Sequence, residues 1–302
     1  DDVLDVLGKK YPEAALLSKY QLLNKRLGQI SEGKEAWLKH CQRYGDGRIH
    51  GSVITNACVS GRCSHRNPNM AQIPRVGQPY GGECRGLFYA PTGWRQVGVD
   101  ASGLELRGLG SQLAYFDGGE YSKLVSMDGF DIHTHNAKLF GIYDGQGTIE
   151  KRIREQAKTL IYAVLYGAGP QKLGTIVAPS LSERKQKEIG YETIDTFYKN
   201  LPAIKKLKDK VDEKVTQRGY LIGIDGRHLQ IRSRHSALNQ LLQSTGSLCV
   251  KKATCILYED CKENHLRWGI HYAFVAHIHD EIQALVKPQH VSLYKKLAID
   301  CF

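Results

Sequence analysis

The chain has 302 residues, with 42 Lys and Arg against 31 Asp and Glu, giving a net charge of +11 at pH 7. That length buries a full core and leaves room for two subdomains, and the positive balance favours a polyanionic partner. Eight scattered cysteines without a C-x-x-C pair speak against a zinc ribbon or disulfide framework and for reduced thiols in a cytoplasmic setting. No apolar run reaches membrane-spanning length and no signal-peptide pattern opens the chain, so no membrane partner is expected. The first residues read like the middle of a larger protein.

Residues 11–42 carry helical spacing through Leu16, Leu17, Tyr20, Leu23 and Leu27, then Ala36, Trp37 and Leu38, which predicts packing helices without chemistry. Gly45-Asp46-Gly47 marks a turn, and Ile49 to Val59 reads as a strand or hairpin segment. The stretch SGRCSHRNPNMAQIPR (Ser60–Arg75) is polar and rich in turn residues. It sets Arg62 on a tight backbone and offers the amides of Asn67, Asn69 and Gln72, either to base edges and sugars or simply to solvent as a surface loop.

Gln96 to Asp100 predicts a short buried strand ending on an acid, and after a turn Leu104, Leu106, Leu109 and Leu113 begin a helix that also holds Glu105. An Asp there suits either a metal ligand or a helix cap. Asp131-Ile132-His133-Thr134-His135 could suggest a metal-dependent hydrolase. Because Asn136 to Phe140 continue the run as a helix, Asp131 reads instead as a cap, with His133 facing whatever the next helix binds.

That next helix, Lys151 to Gly167, organises the chain. Arg154, Lys158, Tyr162 and Tyr166 recur every four residues and so drift slowly around one face. Two cations a turn apart suit a polyphosphate, and the phenols beyond them offer a surface for a base. Ile153, Leu160, Ile161, Val164 and Leu165 are left to pack elsewhere. The plainer alternative is a solvated basic start with aromatics in a core.

Gly167 to Pro170 breaks the helix. Residues 181–218 predict two solvated helices bent at Pro202, and 219–232 a hairpin turning at Asp225-Gly226. His235 to Leu257 predicts a long helix with His235, Asn239 and Gln243 on one face, where amides reach minor-groove acceptors or make an ordinary polar face. Tyr272–Ile278 predicts an apolar strand interrupted by His279-Asp280-Glu281, after which period-two alternation resumes at Ile282, Ala284 and Val286. Two acids at such a tip are costly unless they bind a metal or reach solvent.

Five of these segments, in this order, resemble family A DNA polymerases, and in particular the replicative enzymes of short-tailed bacteriophages. VDASGLELR (Val99–Arg107) is similar to the first palm motif and HDE (His279–Glu281) to the second. RIREQAKTLIYAVLYG (Arg152–Gly167) keeps the R-x3-K-x7-YG frame of the fingers helix. Ser60–Arg75 resembles the loop beside the primer terminus, and DGRHLQIRSRHSALNQLLQSTG (Asp225–Gly246) is similar to the phage branch.

The resemblance implies an α+β right-hand fold with an antiparallel palm sheet and a helical fingers subdomain. Residues 1–45 become a helical lead-in from the end of the thumb to the start of the palm. Residues 46–115 become the first part of the palm, 116–218 the fingers, and 219–302 the second part of the palm, truncated at its C-terminus. Such polymerases carry an exonuclease and most of a thumb before this region, so the chain is expected to be a fragment of a larger enzyme.

The resemblance further implies template-directed DNA synthesis in phage replication, in the bacterial host cytoplasm. The partners are primer-template DNA, deoxynucleoside triphosphates and a processivity factor acting through the missing thumb. Asp100, Asp280 and the Ala101 carbonyl would hold two Mg2+ ions roughly 3.5–4 Å apart, with Lys158 and Glu281 joining the acids as catalytic residues. His133, Arg154 and Lys158 would neutralise the triphosphate, Tyr162 would sense the sugar, Tyr166 would stack near the templating position, and Glu105 would exclude a ribose 2′-hydroxyl. Arg62, Asn69, Gln72, His235, Asn239, Gln243 and His279 would contact DNA. A phosphohydrolase built on the H-x-H run and a catalytically silent DNA-binding module stand as rival readings.

Overall fold

The computed structural model describes residues 2–302. Helices α1 (Asp2–Gly8) and α2 (Pro12–Leu27) form a hairpin, with Pro12 opening α2 where its missing N–H costs nothing. The apolar stripe makes a helix as its spacing predicts, but it does not pack as expected. No residue of α2 is buried, and Leu16 and Tyr20 stay 70% and 63% exposed. Burial begins at α3 (Trp37–Arg43), where Trp37 meets the edge of Phe88 at 5.2 Å.

The stretch expected as a loop after Val59 supplies a strand. β1 (Ser52–Ile54) pairs antiparallel with β2 (Ser64–Arg66), and a short 3-10 turn spans Met70–Gln72. After α4 (Gly81–Gly86) and β3 (Arg95–Asp100) the chain is helical through α5 (Leu104–Asp117), α6 (Glu120–Ser126), α7 (Ile132–Leu139), α8 (Lys151–Leu165), α9 (Pro170–Val177), α10 (Glu183–Asn200) and α11 (Pro202–Arg218). Helix α8 buries Ala157, Leu160, Ile161, Val164 and Leu165, the 3.6-residue stripe read from the sequence, while Ile153 is only half-buried. Leu160 is wholly buried, so truncating it to Ala costs about 2–5 kcal/mol.

Helices α10 and α11 are less solvated than their charge suggests. Phe197 stacks on Phe140 at 4.2 Å, and Ile204, Leu207, Val211 and Val215 send a narrow stripe from α11 into the main core. The many lysines mask that stripe in the sequence. The expected hairpin follows as β4 (Tyr220–Ile222) and β5 (His228–Gln230). His235 does not begin the long helix: it sits in a 3-10 turn (Arg234–Ser236), and α12 runs from Ala237 to Glu263.

β6 (Tyr272–Ile278) and β7 (Glu281–Val286) complete an antiparallel sheet of order β3-β7-β6, backed by α12 and α13 (Val291–Asp300). β3 is an edge strand and buries only Val97 fully, less than its apolar run predicts. Two cores result. The N-terminal part of α12 (Leu238, Leu241, Leu242) belongs to a large helical core with α5, α8 and α11. Its C-terminal part (Ala253, Leu257, Cys261) packs with the sheet and α13. All eight cysteines are free thiols, and among the described residues no helix is long and apolar enough to cross a membrane.

Candidate active site

The sheet register brings the acids together. Asp100, last in β3, is paired with Glu281, first in β7, and the Ala101 amide donates to the Asp280 carbonyl at 3.1 Å. The connection from β6 to β7 is a two-residue turn, His279-Asp280, which requires a left-handed first residue. His279 takes φ 58° although it is not glycine, a strained conformation of the kind that collects at functional sites. Asp100 reaches solvent, yet partial burial of its carboxyl, and then the charges of Asp280 and Glu281, raise its pKa. Glu281 accepts a hydrogen bond from Gln283, which itself accepts from Gln96 at 3.0 Å. Gly98 makes this possible, because a Cβ there would strike the Gln283 amide.

Two carboxylates and the Ala101 carbonyl are hard oxygen donors, a set that suits Mg2+, which keeps waters and substrate phosphates as its other ligands. Burial raises Asp100 most, and the repulsion from Asp280 and Glu281 that adds to it is what a divalent cation relieves, so the residues fit the ion. The H-x-H run does not compete. His133 faces Tyr162, whereas His135 faces Phe130 and Tyr121, and among the described residues no three His, Cys, Asp or Glu converge on an ion site.

On α8 the cations stand as the spacing predicts, with Asp131 opposite them. Asp131 caps α7 by accepting from the His133 amide at 3.2 Å and also accepts from Thr134 Oγ1 at 2.5 Å. Arg154 donates to both of its oxygens and also to Glu155 at 3.2 Å. Lys158 is exposed and has no carboxylate partner among the described residues. The half-buried His133 ring lies 6.5 Å from Tyr162, and its pKa is lowered by burial and then by Arg154 and Lys158. His133, Arg154 and Lys158 thus share one electropositive neighbourhood.

The phenols follow. Tyr162 and Tyr166 lie 6.2 Å apart, and the Tyr166 hydroxyl donates to Glu105 at 3.0 Å. Burial and the Glu105 charge push Tyr166 up to about 12. Arg62 reaches the same carboxylate at 3.2 Å, so β2's leading loop, α5 and α8 meet at Glu105. Tyr162 is raised by burial, then by Glu105 and Asp280, which joins α8 electrostatically to the paired acids. Gly167, at φ 78°, ends this helix against the His235 carbonyl, with no space for a Cβ.

Arg62, Gln243 and His279 line a cleft of about 350 Å3 together with Gln230, Arg232 and Gln240. Asn239 keeps a buried side-chain oxygen without a partner among the described residues. His235 bonds Ser233 outside the cleft, and Asn69 and Gln72 do not line it either. Asn69 spends its oxygen capping the 3-10 turn through Ala71 N at 3.1 Å, and Gln72 accepts through its carbonyl from Gln29 at 3.4 Å. Two residues that hold the site were missed in the sequence. Lys251 grips the carbonyls of Thr55 and Gly61, the latter at 2.6 Å, and Arg227 bonds Asn56 at 2.9 Å, fixing the loop that delivers Arg62. Lys251 continues the four-residue series from His235 through Asn239, Gln243 and Ser247, a signal available in the spacing.

The family model for DNA polymerase family A matches residues 1–302. This chain belongs to DNA polymerase family A. Within that family it is 39% identical to the DNA-directed DNA polymerases of Enterobacteria phage T3 and Escherichia phage T7, over 97% of this chain and 43% of each of theirs. It therefore spans less than half the length of these curated relatives. A similar fold is seen in the POL domain of Pol1 from M. smegmatis, solved in complex with DNA primer-template and dNTP. That domain matches with a TM-score of 0.79 at 19% identity, covering 99% of this chain and 52% of that one.

Proposed function

We propose that this chain carries the polymerising centre of a phage-type family A enzyme, joining a deoxynucleoside triphosphate to a primer 3′-hydroxyl under template direction. The observation that carries this reading is the convergence of Asp100, at the end of β3 and paired with Glu281, on Asp280 in the β6–β7 turn, whose carbonyl accepts from the Ala101 amide and whose charge reaches the α8 phenol Tyr162. Residues 46–115 and 219–302 make the palm around the β3-β7-β6 sheet, and 116–218 the fingers. α11 bridges them by packing on α5 and α12.

Arg154, Lys158 and His133 bind and orient the triphosphate, where charge develops as the bond to the leaving pyrophosphate breaks. Glu105, held by Arg62 and Tyr166, lies under the sugar and closes off the space of a 2′-hydroxyl. Arg62, Gln243 and His279 meet the primer end and the new base pair in the cleft they line. When bound at Asp100, Asp280 and the Ala101 carbonyl, two Mg2+ ions supply activation of the 3′-hydroxyl and neutralisation of the phosphates. The partners of this reading are primer-template DNA and deoxynucleoside triphosphates, in the cytoplasm of a bacterial host, with a processivity factor as a further partner.

The test is primer extension with and without a divalent metal. Asp100→Ala or Asp280→Ala is expected to abolish extension while duplex binding remains. Near-normal extension by either variant removes the paired acids from the chemistry. Duplex binding without extension by the unaltered chain favours the silent DNA-binding module.

A further inference from the structure

A cleft of about 760 Å3 opens at the far end of α12 and β6, lined among others by Tyr258, Lys262, His265, Arg267, Trp268 and His271. Tyr272, which lines this cleft, opens β6, and the turn carrying Asp280 follows Ile278 at the strand's other end, about 20 Å away. Its size is that of a small-ligand site. None of its lining residues is a carboxylate, although Glu259 stands 3.7 Å from the exposed Lys262 Nζ, and its polar side chains are cations or ring N–H and O–H groups.

The turn that carries it is rigid. Leu266 N donates to Cys261 O at 2.8 Å, His271 N to Arg267 O at 2.9 Å, and Gly269 N to Tyr272 O at 2.7 Å. The Arg267 amide donates to His271 Nδ1 at 3.1 Å, which makes that nitrogen the acceptor and leaves Nε2–H as the ring's donor. Trp268 is braced edge-on by Tyr272 at 5.7 Å and Phe274 at 5.1 Å, yet half of its surface stays open. A fixed, half-open indole beside Lys262 and Arg267 combines a stacking platform with phosphate-binding charge, already ordered before any ligand arrives.

We propose that this cleft is a second nucleotide-binding site, separate from the polymerising centre. It takes one phosphorylated nucleoside, either free or as the 5′ end of a single strand, with the base on Trp268 and the phosphate on Lys262 and Arg267. A nucleotide is favoured over an acidic peptide because the indole presents a flat open surface next to the cations, inside a cleft of bounded size.

The test is photolabelling of the 302-residue chain with 8-azido-AMP, followed by peptide mapping. Saturable labelling is expected within Tyr258–Tyr272. Arg267→Glu, which alters an exposed side chain, and Trp268→Leu should each weaken it roughly tenfold or more, the scale of one lost stack or charged contact. Lys158→Ala should leave it unchanged. Competition by AMP identifies free nucleotide as the occupant, and competition only by a short 5′-phosphorylated oligothymidylate identifies a strand end. Absence of saturable labelling in this segment, insensitivity to both substitutions, or equal displacement by oligoglutamate overturns the proposal. Primer extension is read separately on the same variants, so loss of this site and loss of polymerase activity are distinguishable.

Discussion

Asp131 closes a two-pronged ion pair on Arg154, with Nε and Nη2 donating to its two oxygens at 2.7 and 3.0 Å. The pair ties the start of α7 to α8 and fixes where Arg154 stands. Burial by itself would raise the Asp131 carboxyl, but its bonds to Arg154 and Thr134 outweigh burial and hold it at about 2.

A carboxyl held below its ordinary value stabilises the fold above pH 4, and that contribution is lost as pH falls toward 2. Asp131→Asn keeps a good helix cap and removes the ion pair. The variant should lose about 0.2–1 kcal/mol at pH 7, a small effect because both partners keep 36% exposure. Thermal melts from pH 7 to pH 2 should show the two proteins converging at the acid end. A gap that stays constant with pH assigns the loss to something other than the ion pair.

Asp100 presents the opposite sign. Its raised pKa means that the ionised carboxyl is disfavoured in the fold, a cost present above the folded pKa and absent when the group is protonated. In metal-free buffer at pH 7, Asp100→Asn should therefore melt higher than the unaltered chain. Mg2+ should raise the melting temperature of the unaltered chain and have little effect on the variant. Equal stabilisation of both by Mg2+ would place the ion elsewhere.

Glu105 is clasped by Arg62 and Tyr166 in the first turn of α5, which gives the carboxylate a fixed position. Glu105→Ala should raise ribonucleotide incorporation relative to deoxynucleotide, read as the ratio of kcat/KM values. An unmoved ratio means that the sugar is sensed by another residue.

Tyr162 is half-buried between the rings of His133 and Tyr166, and its hydroxyl has no hydrogen-bond partner among the described residues. A free hydroxyl there can replace the hydrogen bond that a dideoxynucleotide lacks, removing about 1–3 kcal/mol of discrimination. The protein should incorporate dideoxynucleotides almost as readily as deoxynucleotides, and Tyr162→Phe should restore selection between them. Incorporation efficiencies for the two substrates decide it, and identical ratios in both proteins return Tyr162 to a packing role.

The elements that bear the site were legible because they rest on local periodicity. The α8 face, the Asp131 cap and the β6–β7 turn follow from spacing and turn chemistry alone. What spacing cannot carry is partnership across the chain. Nothing near Arg154 in the sequence announces that Asp131, 23 residues away, will grip it. Lys251 reaches Gly61 across 190 residues, a contact that exists only once α12 lies beside the β1–β2 loop. The α2 stripe misleads in the other direction, since periodicity reports that an apolar face exists and is silent on whether anything covers it. Asn69 likewise has the right chemistry for a base edge, but its own backbone claims it first.

The contact between Gly167 and the His235 carbonyl gives α8 a mechanical asymmetry. At its phenolic end the helix is seated backbone on backbone, and a side chain of any size would wedge the joint open. At its cationic end, 13 residues or about 20 Å away, the restraint is an exchangeable ion pair that another anion can replace. A side chain placed at Gly167 would therefore disturb Tyr166 first, whereas loss of the ion pair would be felt first at Arg154.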